Sequence, residues 1–251
     1  MQIITMSLGE LETSCYLLIS DEGNAAMIDP AGECDKIIGV LSKNSVTLTK
    51  ILLTHGHFDH TGAVAELKEI TGAKVYIHAD DECMLNDTIK NVAYLAPGFE
   101  YKPFEADVIL TGGDMIFLDE LEISVMHTPG HTKGSVMYFV NDVIFTGDTL
   151  FEGSVGRTDF YSGDITAQKE TLRRISALRT NYTLYPGHGE ATTLENEKKY
   201  NMYLRDRNGT QIYITFPEKS YIVLEKVNRL WYNYTIKINE RTYRRWNLRT
   251  I

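Results

Sequence analysis

Short runs with β-favouring alternation dominate the start of the chain. Residues 2–7, 14–20 and 25–28 form three of them, punctuated by the turn signals Asp21-Glu22-Gly23 and Asp29-Pro30-Ala31-Gly32. They predict an antiparallel meander. The period then lengthens: Ile37, Ile38 and Leu41 recur at helical spacing, residues 50–53 predict a strand, and Val64, Leu67 and Ile70 mark one helix face that Thr71-Gly72 ends. Residues 74–77 read as the next strand and residues 79–85 as a short helix.

The second half repeats the style. Residues 107–110, 115–118, 121–126, 135–140 and 143–145 are predicted strands separated by turns bearing Gly and Asp. A helix follows over 166–178 with Leu172, Ile175 and Leu178 inward, then a strand over 183–185 and a helix-like stretch over 194–204. Strand runs with helices between them in each half predict an α/β fold of two sheets packed face to face with helices outside. Residues 86–106 have no clear period and carry Tyr94, Pro97, Gly98, Phe99, Tyr101 and Pro103. Long aperiodic segments in compact domains are often functional, and this one is a candidate wall for a substrate pocket.

Composition adds limits. The 251 residues fit one large domain or one domain with an appendage. No apolar run reaches the roughly 18 to 20 residues of a membrane span, and the N-terminus lacks the pattern of a signal peptide, so the expected compartment is the cytoplasm, with no membrane partner. Cys15, Cys34 and Cys83 show no C-x-x-C spacing and are expected to be reduced, buried or inert. The net charge of −9 is uneven, because residues 205–251 hold ten basic and four acidic residues, a net of +6 that leaves −15 on residues 1–204. A body this acidic disfavours a nucleic-acid partner.

Candidate chemistry is concentrated in Thr54-His55-Gly56-His57-Phe58-Asp59-His60, which follows the apolar run Ile51-Leu52-Leu53 and packs four metal-ligand side chains into six residues. Imidazole and carboxylate are ligands that zinc and iron accept, and packing alone has no use for such density. Four more predicted strand ends carry residues of the same kind. Asp29 follows residues 26–28, His131 lies in Thr128-Pro129-Gly130-His131-Thr132, Asp148 in Phe145-Thr146-Gly147-Asp148-Thr149, and His188 in Tyr185-Pro186-Gly187-His188-Gly189. Glycine in each of the last three turns, and three residues after Asp29, lets the backbone bend tightly beside a cleft.

In order, these segments resemble the metallo-β-lactamase superfamily, whose marks are an aspartate after an early strand, H-x-H-x-D-H, and then a histidine, an aspartate and a histidine. The segments 128–132, Phe145-Thr146-Gly147-Asp148-Thr149-Leu150-Phe151 and Gly156-Arg157-Thr158-Asp159 are similar to those of the short, glyoxalase II-like hydrolases. The resemblance covers residues 1–204 and implies a four-layer αββα sandwich of two mixed sheets. It further implies one metal held by His55, His57 and His131 and a second held by Asp59, His60 and His188, with Asp148 bridging. Asp59 and Asp148 are the carboxylates expected to act in catalysis, and Asp29 is expected to hold a ligand imidazole by its other ring nitrogen. The implied cofactors are two divalent ions, zinc first, with iron or manganese also accommodated. The implied reaction is hydrolysis of a small-molecule thioester such as S-lactoylglutathione by a metal-bridging hydroxide. An iron-dependent persulfide dioxygenase, a lactonase and a metal-dependent RNA nuclease are the competing readings, and β-lactam cleavage is disfavoured by His60.

Other residues have plainer readings. His78 is expected at a helix start or on the surface, His127 beside the site or hydrogen-bonded in the core, and Arg157 and Asp159 as an ion pair fixing residues 152–164. The chain departs from full-length glyoxalase II proteins in having Gly187-His188-Gly189-Glu190 without a following tyrosine. Residues 205–251 hold both tryptophans, alternate in β fashion over 211–216 and 231–238, and are expected to form a small basic β-rich appendage. A monomer or small homo-oligomer is the expected assembly.

Overall fold

In a computed structural model of the chain, residues 1–204 are described. The expected appendage over 205–251 lies outside the described residues. The meander is present: β1 (Gln2–Leu8) pairs antiparallel with β2 (Thr13–Ile19), and β2 with β3 (Asn24–Ile28). The chain then continues in parallel through β4 (Thr47–Leu52), β5 (Lys74–His78) and β6 (Val108–Leu110), giving a mixed six-stranded sheet in the order β1-β2-β3-β4-β5-β6. Parallel steps need crossovers, and α1 (Cys34–Asn44) joins β3 to β4 while the short α2 (Phe58–Thr61) and α3 (Val64–Thr71) join β4 to β5.

The second sheet contains β7 (Met115–Leu118), β8 (Leu121–His127), β9 (Val136–Val140), β10 (Val143–Gly147), β13 (Thr183–Pro186) and β14 (Thr192–Thr193), in the order β14-β13-β10-β9-β8-β7. Its one parallel pair is β10 with β13, bridged by α4 (Ile165–Ser176). A two-stranded ribbon, β11 (Leu150–Phe151) and β12 (Ser154–Val155), leaves the end of β10, and α5 (Leu194–Tyr200) follows β14.

Strand β2 shows why the layers stack. All seven of its residues are buried: Cys15, Leu17 and Ile19 face Ile37, Leu41, Val64 and Leu67 of the helical layer, while Tyr16 and Leu18 face Val125, Tyr138 and Phe145 of the second sheet. A strand with period-two side chains and an apolar layer on each side must be apolar throughout. On the far side Met137, Ile144 and Leu184 meet Leu172 and Ile175 of α4 and Leu194 of α5. The order of layers is therefore helix, sheet, sheet, helix, the expected αββα sandwich.

Some details depart from the pattern. Ile70 is 55% exposed, because two successive steps of three residues leave it about 120° round the helix from Val64, off the face that Val64 and Leu67 bury. The helix expected over 79–85 is only a 3-10 turn, Glu82–Met84, and the helical stretch after 194 stops at Tyr200. The two-residue strands β11, β12 and β14 are too short to carry a period. Cys15 and Cys34 are buried but Cys83 is exposed, and all three are free thiols. No described helix is long and apolar enough to cross a membrane.

Candidate metal centre

The strands deliver their following residues to one place. The loop after β4 presents His55, His57, Asp59 and His60, the last two in α2; the loop after β8 presents His131; β10 runs into Asp148 and β13 into His188. The structure thus brings all seven predicted ligands together. His55 Nε2 lies 3.0 Å and His131 Nε2 2.9 Å from His57 Nδ1. Beside them His188 Nε2 is 3.3 Å and His60 Nε2 3.7 Å from Asp59 Oδ2. Asp148 stands between the two groups, its Oδ2 3.5 Å from His131 Nε2 and 3.7 Å from His188 Nε2, its Oδ1 3.3 Å from His60 Nε2.

Outer contacts orient these rings. The Nδ1 of His131 meets the Arg157 carbonyl at 2.7 Å, that of His55 the Thr54 hydroxyl at 3.1 Å, and that of His60 the Asp29 carboxylate at 2.9 Å. A carbonyl accepts only a proton-bearing nitrogen, so Nε2 of His131 points its lone pair inward. Asp29 is buried, takes hydrogen bonds from the Thr54 N–H at 2.7 Å and hydroxyl at 2.5 Å, and has a left-handed φ of 50°. Backbone strain of this kind in a non-glycine residue persists where surrounding contacts hold it in place. Gly187 contributes by absence. A Cβ there would strike Asp148 Oδ1 and come within 2.6 Å of His60 Cε1.

The electrostatics call for cations. Burial, then the neighbouring imidazoles, holds His55 well below the usual histidine range, and burial puts His57 at about 3, so both rings are neutral donors. Burial acts in the opposite direction on Asp59, but His60 and His188 outweigh it and hold the carboxyl at about 2. Burial likewise opposes ionisation of Asp148, and His188 and His60 hold it well below the carboxylate range. Conversely His60 and His188 are raised against burial, His60 by Asp148, Asp59 and Asp29, His188 by Asp148 and Asp59. Three imidazole nitrogens within hydrogen-bond distance share too few protons to satisfy one another, and buried His60 Nε2 and Asp148 Oδ1 have no hydrogen-bond partner. Neutral His55 and His57, ionised Asp59 and Asp148, and two further imidazoles whose protons a cation could replace, all directed at one space, fit divalent metal ions.

Some expectations shift. His78 is buried and stacks on His127 at 4.1 Å and 12°, while His127 Nε2 meets the Lys133 carbonyl at 2.8 Å. The surface placement of His78 is wrong because β5 carries it one residue further into the fold. Arg157 and Asp159 do form a two-pronged ion pair at 2.6 and 2.7 Å, and Arg157 also lies 3.8 Å over the Phe160 ring, which in turn packs edge-on against His57 at 5.9 Å. Of the aperiodic segment 86–106, Phe99 joins Leu11, Ala31 and Phe58 around a cavity of about 140 Å³ that reaches Asp59, whereas Tyr94 is exposed. Asp81 is a further buried acid beside this centre. It lies four residues past the strand predicted over 74–77 and inside the helix predicted over 79–85, a position that no sequence pattern marks.

A sandwich whose strand ends converge on a His/Asp cluster is the frame of the metallo-hydrolase superfamily. Residues 8–188 match the family model described as the metallo-beta-lactamase superfamily, and the chain belongs to that superfamily. Over 212 residues it is 32% identical to the hydroxyacylglutathione hydrolase GloC of Haemophilus influenzae, covering 83% of this chain and all of that one. Among solved structures it is similar to the BLEG-1 B3 metallo-beta-lactamase, with TM-score 0.78, 34% identity and coverage of 82% of this chain and 100% of the other. It is also similar to TTHA1623 in a di-iron-bound form, with TM-score 0.72, 33% identity and coverage of 80% and 100%.

Proposed function

We propose that the chain hydrolyses small-molecule acyl thioesters of the hydroxyacylglutathione type, with S-lactoylglutathione as the first substrate to test. The observation that carries the reading is the convergence of the seven ligand side chains in a body that spans the whole length of a hydroxyacylglutathione hydrolase. In this reading His55, His57 and His131 hold one divalent ion, Asp59, His60 and His188 hold a second, and Asp148 serves both. Zinc is the expected metal, and the same nitrogen and oxygen donors suit iron or manganese. Two dications, when bound, supply a water acidic enough to attack near neutral pH and polarise the carbonyl.

The chain's own groups do the remainder. Asp59, held ionised beside His60 and His188, accepts a hydrogen bond from the attacking water and orients it, and the proton that the water gives up passes through solvent to the departing sulfur. The water oxygen bonds to the acyl carbon, the carbon–sulfur bond breaks with its electron pair on sulfur, and the thiol leaves protonated. Phe160, edge-on to His57, and Phe151, edge-on to His188 at 6.1 Å, border the ligand rings and limit the access of bulk water. The cavity lined by Leu11, Ala31, Phe58 and Phe99 suits a short acyl group next to Asp59. Metal-replete protein assayed against a panel of acyl thioesters releases free thiol if the reading holds, and silence across the panel rejects it.

A second reading has one observation in its favour. The 34% identity to a B3 metallo-beta-lactamase over that protein's full length makes β-lactams the next substrate class, despite the weight given to His60. Hydrolysis of a β-lactam faster than any thioester would reverse the order. The cytoplasm and a monomer or small homo-oligomer complete the proposed picture.

A further inference from the structure

We infer that Asp81 is a positioning residue that sets the separation between the loop bearing His55 and His57 and the loop bearing His131. The inference rests on the division of the ligands into two sets made above. Asp81 follows β5, far in sequence from either loop, and is fully buried. Its Oδ2 accepts the Gly56 N–H at 3.1 Å and the Thr132 hydroxyl at 2.6 Å, and its Oδ1 accepts the Gly134 N–H at 2.8 Å. Gly56 lies between His55 and His57, and Thr132 follows His131. One carboxylate thereby ties together the segments that carry all three members of one ligand set.

The fit is close on both sides. A Cβ on Gly134 would come within 2.6 Å of Asp81 Cγ and 2.7 Å of its backbone nitrogen, and a Cβ on Gly56 within 2.8 Å of Met84 Cβ in the turn that Asp81 begins. Both loops are pressed onto the same turn. Thr132 is held further by Ser135, whose hydroxyl lies 2.7 Å from its own and accepts its N–H at 3.0 Å. Three donors and no acceptor meet the carboxylate, so an amide of the same shape would turn its NH2 group against a donor. None of these bonds reaches Asp59, His60 or His188; Asp29 holds the Nδ1 of His60 and reaches His55 through the Thr54 hydroxyl. The bonds of Asp81 are confined to the segments that carry the first set, so its loss acts on that set.

The test is a Co2+ titration of the metal-free, full-length protein followed by visible absorbance, with His131→Ala marking the spectral component of the first set. Wild type is expected to take up two equivalents. In Asp81→Asn the component that His131→Ala removes weakens by about 10- to 100-fold in Co2+ affinity, and the other equivalent binds as in wild type. Equal weakening of both equivalents, or of neither, overturns the proposal and leaves Asp81 a general structural residue. Should Asp81→Asn fail to fold, Thr132→Val decides: it removes one of the three bonds and weakens the same component about tenfold, and an unselective effect there equally overturns the brace. A wild type that takes up fewer than two equivalents overturns the two-set reading itself, and the brace with it, before any variant is compared.

Discussion

The two sheets serve the metal centre in different ways. From the first sheet a single loop of six residues after β4 supplies His55, His57, Asp59 and His60. The second supplies one ligand from each of three strand ends: His131 after β8, Asp148 after β10 and His188 after β13. A local turn fixes the first group. Register fixes the second, through the antiparallel pairs β8–β9 and β9–β10 and the parallel pair β10–β13. Dense local ligands are easy to read and robust to distant changes, whereas scattered ones depend on the whole sheet being in place.

The sharpest break in this comparison is at Asp148, the residue that touches both groups. Asp148→Asn is expected to lower kcat/KM for thioester hydrolysis on the order of 10³-fold, measured by thiol release, while circular dichroism stays native. Retention of most activity would show that the second sheet's contribution is dispensable. Next comes Gly187→Ala, which pushes a methyl group toward Asp148 and His60. A displacement of the ligands by about 1 Å predicts a loss on the order of 10²-fold, together with less than two bound metals per chain.

On the side of the first sheet, Thr54→Val removes the hydroxyl shared by Asp29 and His55. Here about a tenfold loss in metal affinity is expected by competition with a chelator, with the fold kept. The smallest effect belongs to Ile70→Lys on the outer face of α3. Since Ile70 is 55% exposed, the change in unfolding free energy stays within about 0.5 kcal/mol, and a larger loss by denaturant titration would mean that the face is covered.

Legibility in the sequence follows the same division. The strands buried on both faces, such as β2 and β10, stand out as apolar runs, and β1 to β3 announce themselves by turns. His55 to Asp148 and His188 are legible because glycine turns flag the strand ends that bear them. The ribbon β11–β12 and strand β14 are not, since two residues contain no period. Ile70 misled because two steps of three residues drift about 120° round a helix, so the third position of such a stripe leaves the buried face. His78 misled because one more residue of β5 turned a surface position into a buried one. Asp81 was hidden for a different reason: its partners are backbone N–H groups and a threonine hydroxyl contributed by two remote loops, and no spacing in a sequence encodes that convergence.

Metal-free full-length protein titrated with Zn2+ while thiol release from S-lactoylglutathione is followed tests the central claim most directly. The account predicts no hydrolysis without metal and a rate that reaches its maximum at two equivalents per chain. A fully metal-loaded protein that releases no thiol from this or any other acyl thioester would contradict it.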